Sequence, residues 1–220
     1  MENLNKYIDH TLLKRDVTKP EILKAMDDAI EYKFATLCIA PTWIEVVAPK
    51  LHENGVKVTT VIGFPFGQNT IESKVAEAKD AIEKGADELD FVINVSRVHD
   101  NDVEYLKKEV AAMRASTQGK VIKLIIETNL LSNDEKRMIS QIAIDGGFDF
   151  IKTSTGIGVD GATVEDVKLM KEIAGNKEVK ASGGVRTLDA AIAMIEAGAT
   201  RIGTSNGVDI INGLEGKNAY

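Results

Sequence analysis

The sequence has one cysteine, one tryptophan and four prolines among 220 residues, and aromatic residues make up only 5% of it. Because Cys38 has no second cysteine in the chain, an intrachain disulfide is excluded and a reducing compartment such as the cytoplasm is favoured. No apolar run approaches the roughly 18 residues that a membrane-spanning helix needs. The N-terminal residues lack the basic-then-apolar pattern of a signal peptide. We therefore expect a cytoplasmic protein without a membrane partner.

Basic residues are also in the minority, since 27 Lys and Arg stand against 34 Asp and Glu and give a net charge of −7. This balance argues against general nucleic-acid binding but leaves room for a local phosphate site. Hydrophobic residues make up 44% and charged residues 28%, as in globular domains that bury a full core. Without a linker or low-complexity segment, residues 1–220 are predicted to form one domain, in which 209–220 is a mobile C-terminal tail.

One pattern repeats along the chain: an amphipathic helix, then a glycine, then a short strand rich in β-branched residues. The clearest copies span 83–94, 145–154 and 196–205. The predicted strands cover 7–10, 35–39, 57–64, 88–95, 121–127, 148–154, 179–182 and 201–204. Eight evenly spaced strands alternating with helices predict an α/β fold, a single-domain (β/α)8 TIM barrel. An open doubly wound sheet is the alternative, but no dinucleotide-binding fingerprint follows the first strand.

Several residues mark the ends of the predicted helices. Thr18 with Glu21, and Ser132 with Glu135, have the spacing of capping boxes. A further helix, expected after Thr42, contains Pro49, which predicts a kink or an early end.

The most informative stretch is FDFIKTSTGIG at 148–158, in which an apolar strand carries Lys152. Burying an ammonium group is costly, so a lysine in such a strand suggests a function. Lys180 stands in a similar setting one structural unit later. If both lysines face inward on adjacent strands, the two cannot both stay charged cheaply, and one becomes the free amine that Schiff-base chemistry requires. Alternatively, both lysines end their strands and reach solvent.

Two carboxylates are candidates to assist the lysines. Asp90 lies in an otherwise apolar run, where it could move protons for Lys180 or form a structural ion pair. Asp9 ends the first predicted strand, where it could serve the site or hydrogen-bond its own turn.

A phosphate site is predicted from two glycine-containing loops. Gly183 and Gly184 follow the seventh strand, and Gly203, Ser205 and Asn206 lie at the end of the eighth strand and in the loop after it. In barrels of this kind these two loops commonly hold a phosphate, because glycine lets backbone N–H groups approach the anion closely.

The sequence contains no pattern typical of a metal site or of a nucleophile–histidine triad. Cys38 and the three histidines, His10, His52 and His99, lack the spacing of metal ligands or of a triad. We therefore expect no metal, and we interpret Cys38 as a small packing residue.

Seven motifs together resemble the deoxyribose-phosphate aldolases, a family of class I aldolases. They are IDHTLLK at 8–14, VIGFPFG at 61–67, GADELDFVIN at 85–94, IIET at 125–128, DFIKTSTG at 149–156, VKASGGVRT at 179–187 and RIGTSNGV at 201–208. The resemblance implies a barrel that needs no cofactor. It also implies reversible cleavage of 2-deoxy-D-ribose 5-phosphate to D-glyceraldehyde 3-phosphate and acetaldehyde, in deoxyribonucleotide catabolism.

The resemblance implies a role for each matched residue. Lys152 corresponds to the Schiff-base lysine, Lys180 to the neighbour that lowers its pKa, and Asp90 to their acid–base partner. The two glycine loops correspond to the phosphate cradle. A C-terminal tyrosine recurs in the family, which makes Tyr220 a candidate proton shuttle.

Four residues depart from the family pattern: Ala40, Ser96, Ile157 and Asn206. They concern phosphate affinity and packing around the substrate rather than the reaction.

Two other functions remain open at the level of sequence. One is a sugar-phosphate isomerase or epimerase that uses Asp90 and Glu127, and the other is a barrel that binds a phosphorylated metabolite without chemistry. In each case the partners are small molecules, and the exposed helices of a barrel make a homodimer plausible.

Overall fold

The computed structural model describes residues 3–158 and 160–216, and within them eight parallel strands close into a barrel in sequence order. The strands are β1 (Ile8–Leu12), β2 (Thr36–Ile39), β3 (Lys57–Ile62), β4 (Glu88–Val92), β5 (Val121–Ile125), β6 (Phe150–Lys152), β7 (Glu178–Ser182) and β8 (Arg201–Thr204). β1 pairs with both β2 and β8, which closes the barrel. The predicted (β/α)8 fold is therefore confirmed.

The strands are surrounded by helices, as the repeat predicts. The helices are α1 (Lys19–Glu31), α2 (Ile44–Glu53), α3 (Ile71–Glu83), α4 (Val95–His99), α5 (Val103–Ser116), α6 (Asn133–Asp145), α7 (Val164–Ala174), α8 (Leu188–Glu196) and α9 (Gly207–Ile211). Short 3-10 turns cover Leu4–Tyr7, Pro41–Trp43 and Thr128–Leu130. Among the described residues, no helix is both long and apolar enough to cross a membrane.

The capping boxes that the sequence predicts are present at α1 and α6. At α6, Ser132 Oγ accepts a hydrogen bond from the Glu135 N–H at 3.3 Å, and the Glu135 carboxylate accepts one from the Ser132 N–H at 2.7 Å. Each bond satisfies an N–H group that the first helical turn leaves without a partner. Pro49 does not end α2 early, because the helix continues to Glu53.

Several strands are shorter than the sequence predicts at the end where function is expected. The strand predicted over 88–95 ends at Val92, and α4 starts at Val95. The strand predicted over 148–154 is regular only from Phe150 to Lys152. The prediction ran too far because it followed apolar and β-branched residues beyond the last strand hydrogen bonds. In the structure the chain leaves the sheet there and forms the loops at the mouth of the barrel.

Apolar side chains and charged side chains occupy different parts of the barrel. The main hydrophobic core lies between the strands and the helices, and it includes Leu37, Leu89, Phe91 and Ile151. Because side chains alternate along a strand, the neighbours of such residues point into the barrel. Inside are seven buried or nearly buried charged side chains: Asp9, Glu88, Asp90, Lys123, Lys152, Lys180 and Arg201. A charged interior of this kind needs compensating contacts, and these form the candidate site.

The C-terminal part of the described chain returns to the mouth of the barrel. α9 includes residues 209–211, so the first residues of the predicted tail are helical. Gly216 is buried, and its N–H donates to the carbonyl of Arg186 at 2.9 Å. Tyr220, the candidate proton shuttle, lies outside the described residues.

Candidate active site

Lys152 is the last residue of β6, and its side chain points into the barrel. The side chain is only 3% exposed, and Nζ donates to Asp90 Oδ2 at 2.8 Å. Burial lowers the pKa of Lys152, and the nearby Lys180 ammonium lowers it further against the opposing effect of Asp90. Lys152 therefore loses its proton more readily than an ordinary lysine.

Lys180 lies beside Lys152, since the two residues are register partners in the pairing of β6 with β7. Its Nζ donates to Asp90 Oδ2 at 2.7 Å and also to Asp9 Oδ2. Burial alone would lower its pKa, but the two carboxylates outweigh that effect and raise it above the usual range. Both lysines are buried, so the alternative in which they reach solvent is wrong. The neighbours decide that Lys180 stays an ammonium while Lys152 loses its proton more readily.

Asp90, in the middle of β4, binds three amines at once. Its Oδ2 accepts from Lys152 and Lys180, and its Oδ1 accepts from Lys123 Nζ at 2.9 Å. Burial would raise the pKa of Asp90, but the three lysines hold it well below the usual range. The three amines thus hold Asp90 in its carboxylate form.

Asp9 on β1 belongs to the same cluster. Its carboxylate binds Lys180, accepts from Arg201 Nη1 at 2.6 Å and accepts from Thr36 Oγ1 at 2.9 Å. The local bond to Thr11 uses the Asp9 backbone carbonyl, not the side chain. These charged partners keep the pKa of Asp9 below its ordinary value in spite of burial. The Asp9 carboxylate therefore belongs to the charged cluster. Of the two roles that the sequence allowed, a hydrogen bond within its own turn is made only by the backbone carbonyl.

Sequence reasoning missed three members of this cluster, namely Glu88, Lys123 and Arg201. Lys123 Nζ lies 2.7 Å from Glu88 Oε2, and Arg201 Nη1 lies 2.9 Å from the same oxygen. Lys123 sits in the apolar run VIKLII, which is the signal that singled out Lys152. Glu88 and Arg201 each begin a strand, where a charged residue normally marks the exposed edge, so the sequence offered no comparable signal.

Glu127 lies just after β5 in the left-handed region, with φ +57. Its carboxylate accepts from the Thr155 N–H at 3.0 Å and from Thr155 Oγ1 at 2.6 Å. Burial raises the pKa of Glu127 in spite of these bonds. These contacts fix the loop after β6, so Glu127 supports the segment that follows Lys152.

The loop after β7, which the sequence predicts as part of a phosphate site, has a left-handed backbone conformation. Gly183 and Gly184 have φ +83 and +76, which glycine adopts readily. A Cβ on Gly161 would lie 2.0 Å from the Gly183 carbonyl oxygen, so the loop after β6 packs directly on this turn.

The glycine and polar residues of β8 and its loop take two different positions. Gly203 lies within β8, before the loop. A Cβ there would be 3.1 Å from Lys180 Cε, so the absence of a side chain leaves room for Lys180. Ser205 and Asn206 lie at the mouth, and the Asn206 N–H donates to Thr204 Oγ1 at 3.0 Å.

Two cavities flank the mouth of the barrel. One, of about 370 Å³, borders Ser205 and Asn206 and is lined by polar side chains such as Lys14. The other, of about 380 Å³, is mainly apolar and is lined by Phe66, Leu130, Ile157 and Glu127 among others. Phe66 is 75% exposed at this opening. The mouth thus has a polar side near β8 and an apolar side near β4 and β5.

Cys38 lies among apolar side chains inside the barrel, where it packs in a small cluster with Leu13 and Val61. Burial raises the pKa of its thiol. In the part of the chain that the structure describes, no group of three His, Cys, Asp or Glu side chains is arranged to hold a metal ion.

Known proteins of the same architecture support an enzymatic interpretation. The family described as DeoC/LacD family aldolase matches residues 4–213. The deoxyribose-phosphate aldolase of Staphylococcus carnosus (strain TM300) is 51% identical over 216 residues, which is 98% of each chain. Among solved structures, an aldolase called QR15 is 40% identical with a TM-score of 0.92 and covers 96% of each chain. The tetrameric deoxyribose phosphate aldolase from Aeropyrum pernix is 32% identical with a TM-score of 0.87, and the match covers 95% of this chain and 89% of that one.

The closed barrel and its buried lysine pair, together with these relatives, define the protein as an enzyme of the aldolase class, a lyase. The chain belongs to the DeoC/LacD family of aldolases, and the relationship to the deoxyribose-phosphate aldolases that its motifs predict is confirmed.

Proposed function

We propose that this protein cleaves 2-deoxy-D-ribose 5-phosphate reversibly to D-glyceraldehyde 3-phosphate and acetaldehyde through a Schiff base on Lys152. The observation that carries the proposal is the buried pair of lysines. Lys152 and Lys180 both donate to Asp90 Oδ2, but Lys180 has Asp9 as a second carboxylate partner. The names of the relatives supply the substrate. The proposed setting is deoxyribonucleotide catabolism in the cytoplasm.

The reaction begins at the amine. Neutral Lys152 adds to the aldehyde carbon of the open-chain sugar phosphate, and loss of water from the carbinolamine gives an iminium ion. Asp90 orients the amine through its 2.8 Å contact, and Lys180 keeps an ammonium group beside the developing intermediates. An ammonium in this position can donate the proton that turns the carbinolamine hydroxyl into water.

The iminium ion then serves as the electron sink for carbon–carbon cleavage. As the C3 hydroxyl loses its proton, the bond between C2 and C3 breaks, glyceraldehyde 3-phosphate leaves, and an enamine remains on Lys152. Protonation of the enamine at C2 restores an iminium ion, and water releases acetaldehyde and the free amine. We assign these proton transfers to the Asp90–Lys180 relay, with Tyr220 as an additional shuttle.

We propose that the phosphate end of the substrate binds at the polar side of the mouth, formed by Gly183 and Gly184 after β7 and by Ser205 and Asn206 after β8. The left-handed backbone at Gly183 and Gly184, which turns the chain sharply after β7, supports this assignment. Gly203 belongs to the same segment and makes room for Lys180. Binding the remote phosphate holds the reacting carbons against Lys152, which raises the rate by orientation.

The test is sodium borohydride reduction in the presence of acetaldehyde or 2-deoxyribose 5-phosphate, followed by intact mass measurement and peptide mapping. We expect one adduct, on Lys152. Lys152→Ala should fold and should lose at least about a thousandfold in turnover, since the covalent route is removed.

Each other result of the trapping experiment has a definite meaning. An adduct on Lys180 instead would reverse the two lysine roles. A folded protein that binds the sugar phosphate without any adduct would favour an isomerase or a non-catalytic binding protein.

We also propose that the protein is a homo-oligomer, most simply a dimer, although the Aeropyrum pernix relative is a tetramer. Light scattering coupled to size-exclusion chromatography would distinguish these states. We further propose that residues 1–220 act as one domain without a resident cofactor.

A further inference from the structure

Six charged side chains inside the barrel form a closed ring in which acids and bases alternate. The ring runs from Asp9 to Lys180, Asp90, Lys123, Glu88 and Arg201, and then back to Asp9. Apart from the contact between Asp9 and Lys180, neighbouring members are 2.6–2.9 Å apart. Three carboxylates thus balance three cations, and buried charges are tolerated only when they are paired in this way.

Lys152 lies outside this ring. Among the described residues its one carboxylate contact is with Asp90, through the same Oδ2 that already accepts from Lys180. A protonated Lys152 would be a fourth cation against the three carboxylates of the ring, and the nearby Glu127 carboxylate is already engaged by Thr155. The interior would then hold an uncompensated positive charge in a poorly solvated space, whereas a neutral Lys152 leaves the interior balanced.

Arg201 and Glu88 close the ring on the side opposite Lys152. Arg201 Nη1 bridges Asp9 Oδ1 at 2.6 Å and Glu88 Oε2 at 2.9 Å. The ring of Phe150 packs beneath this side, with its centroid 5.3 Å from Arg201 Cζ and 5.7 Å from Lys123 Nζ. Arg201 thus occupies Asp9 Oδ1, and Glu88 occupies both Arg201 and Lys123.

We propose that Arg201 and Glu88 are positioning residues that set the proton affinity of Lys152 in opposite directions: Arg201 commits Asp9 to another cation and so favours the free Lys152 amine, whereas Glu88 balances the charges of Arg201 and Lys123 and limits that effect. The catalytic relevance of this arrangement rests on the proposed Schiff-base function. The electrostatic arrangement itself can be measured without any substrate.

Charged and titratable groups face Lys152 from several strands. They are Asp90 on β4, Lys180 on β7, Cys38 on β2 and Glu127 after β5, with Lys123 on β5 behind Asp90. None of these groups is substituted in the variants described below. Burial raises the pKa of the Cys38 thiol, so it adds no charge at neutral pH. A change in the titration of Lys152 would therefore report on the altered ring member.

The test is competitive labelling of the protein with trace acetic anhydride as a function of pH, with acetylation of Lys152 quantified by peptide mass. Glu88→Gln removes a negative charge from the ring and should move the midpoint of Lys152 labelling to lower pH. Arg201→Gln removes a positive charge and should move it to higher pH. Each shift should be on the order of one pH unit, as expected for one charge several ångströms away in a partly polar interior.

Two further variants separate positioning from a general structural effect. The double variant Glu88→Gln/Arg201→Gln removes one charge of each sign, so its midpoint should return to within a few tenths of a unit of wild type. Arg201→Lys keeps the charge and should restore most of the wild-type value. Lys57→Gln is the matched control, because Lys57 lies 3.6 Å from Glu88 Oε1 but is 58% exposed, so that solvent screens its charge.

Opposite shifts of the two single variants, which cancel in the double variant, would support the proposal. Equal shifts of the same sign, or no shift in variants with a native circular dichroism spectrum, would overturn it. If Arg201→Gln fails to fold, the Glu88→Gln and double variants still decide the sign and the cancellation. Absence of a borohydride adduct in the wild type would reject the proposed function and leave this electrostatic measurement unaffected.

Discussion

The two lysines of the site show how neighbours give one residue type two different chemical states. Lys152 and Lys180 are both buried, and both contact Asp90 Oδ2. Lys180 has Asp9 as a second carboxylate, which raises its pKa, while burial lowers the pKa of Lys152. An amine that is free near neutral pH attacks carbonyl carbon, and an adjacent ammonium donates protons. The opposite pKa shifts of the two lysines therefore follow from the carboxylates that each one contacts.

His10 provides a test of stability at the scale of one residue. It is buried against Phe34, with ring centroids 5.1 Å apart, and its Nδ1 has no hydrogen-bond partner among the described residues. Burial lowers its pKa to about 4, while Asp28 acts in the opposite direction and Lys24 in the same one. Since the folded pKa lies below the ordinary value of 6.5, the unfolded chain takes up the proton first as pH falls.

The stability that neutral His10 contributes should thus be complete above about pH 6.5 and should be lost progressively down to about pH 4. At roughly 1.4 kcal/mol for each pH unit, the loss approaches about 3 kcal/mol. Urea unfolding of the wild type and of His10→Gln across this range measures it, and the difference between the two should shrink as pH falls. A constant difference would show that His10 does not titrate in this way.

At the scale of elements, the loop from Gly63 to Gly67 is held by a buried ion pair. Lys74 on α3 donates to the carbonyls of Gly67 and Val92 at 2.6 and 2.8 Å, and to Glu109 on α5 at 2.5 Å. Burial lowers the pKa of Lys74 and raises that of Glu109, so each is pushed towards its neutral form. This pair joins α3, α5 and the end of β4, and it fixes the apolar side of the barrel mouth.

We expect Lys74→Met to reduce the free energy of unfolding by about 3–5 kcal/mol, because it leaves Glu109 and two carbonyls without their donor. The double variant Lys74→Met/Glu109→Leu should recover part of the loss, since no carboxylate then remains unpaired. Urea denaturation measures both. As a control, Lys24→Met breaks an exposed pair with Asp28 and should cost at most about 0.5 kcal/mol. Similar losses for Lys74→Met and Lys24→Met would show that the buried ion pair between Lys74 and Glu109 does not stabilise the fold.

At the scale of the whole molecule, the segment after α9 returns to the mouth of the barrel. Gly216 binds the carbonyl of Arg186, in the loop that follows Gly183 and Gly184. Gly216, the last described residue, therefore lies beside Asn206 at the mouth of the barrel.

Deletion of residues 217–220 tests this segment as a whole. We expect kcat to fall by at least about tenfold, because a proton shuttle for the enamine would be lost. Formation of the borohydride adduct on Lys152 and the melting temperature should stay near wild type, and Tyr220→Phe should reproduce most of the loss. Full turnover by the truncated enzyme would exclude Tyr220 from the reaction.

Much of the fold was predictable because local rules determine it. Helix-period and strand-period hydrophobic patterns, and the capping boxes at Thr18 and Ser132, predicted the order and type of the main elements. Short elements such as α4 and α9 were not predicted, because five residues are too few for a periodic signal. Lys152 is identifiable as a lysine in an apolar strand, and Lys123 carries the same signal in VIKLII.

The sequence by itself determined the barrel, the placement of Lys152 and Lys180 on neighbouring strands, and the family to which the chain belongs. These follow from short-range periodicity, from strand order and from motifs, all of which can be read along one dimension. Only the tertiary structure decided which lysine is short of a carboxylate, and only it joined Glu88 and Arg201 into the ring. The physical reason is that charge compensation depends on distances of 2.6–2.9 Å between residues from five strands.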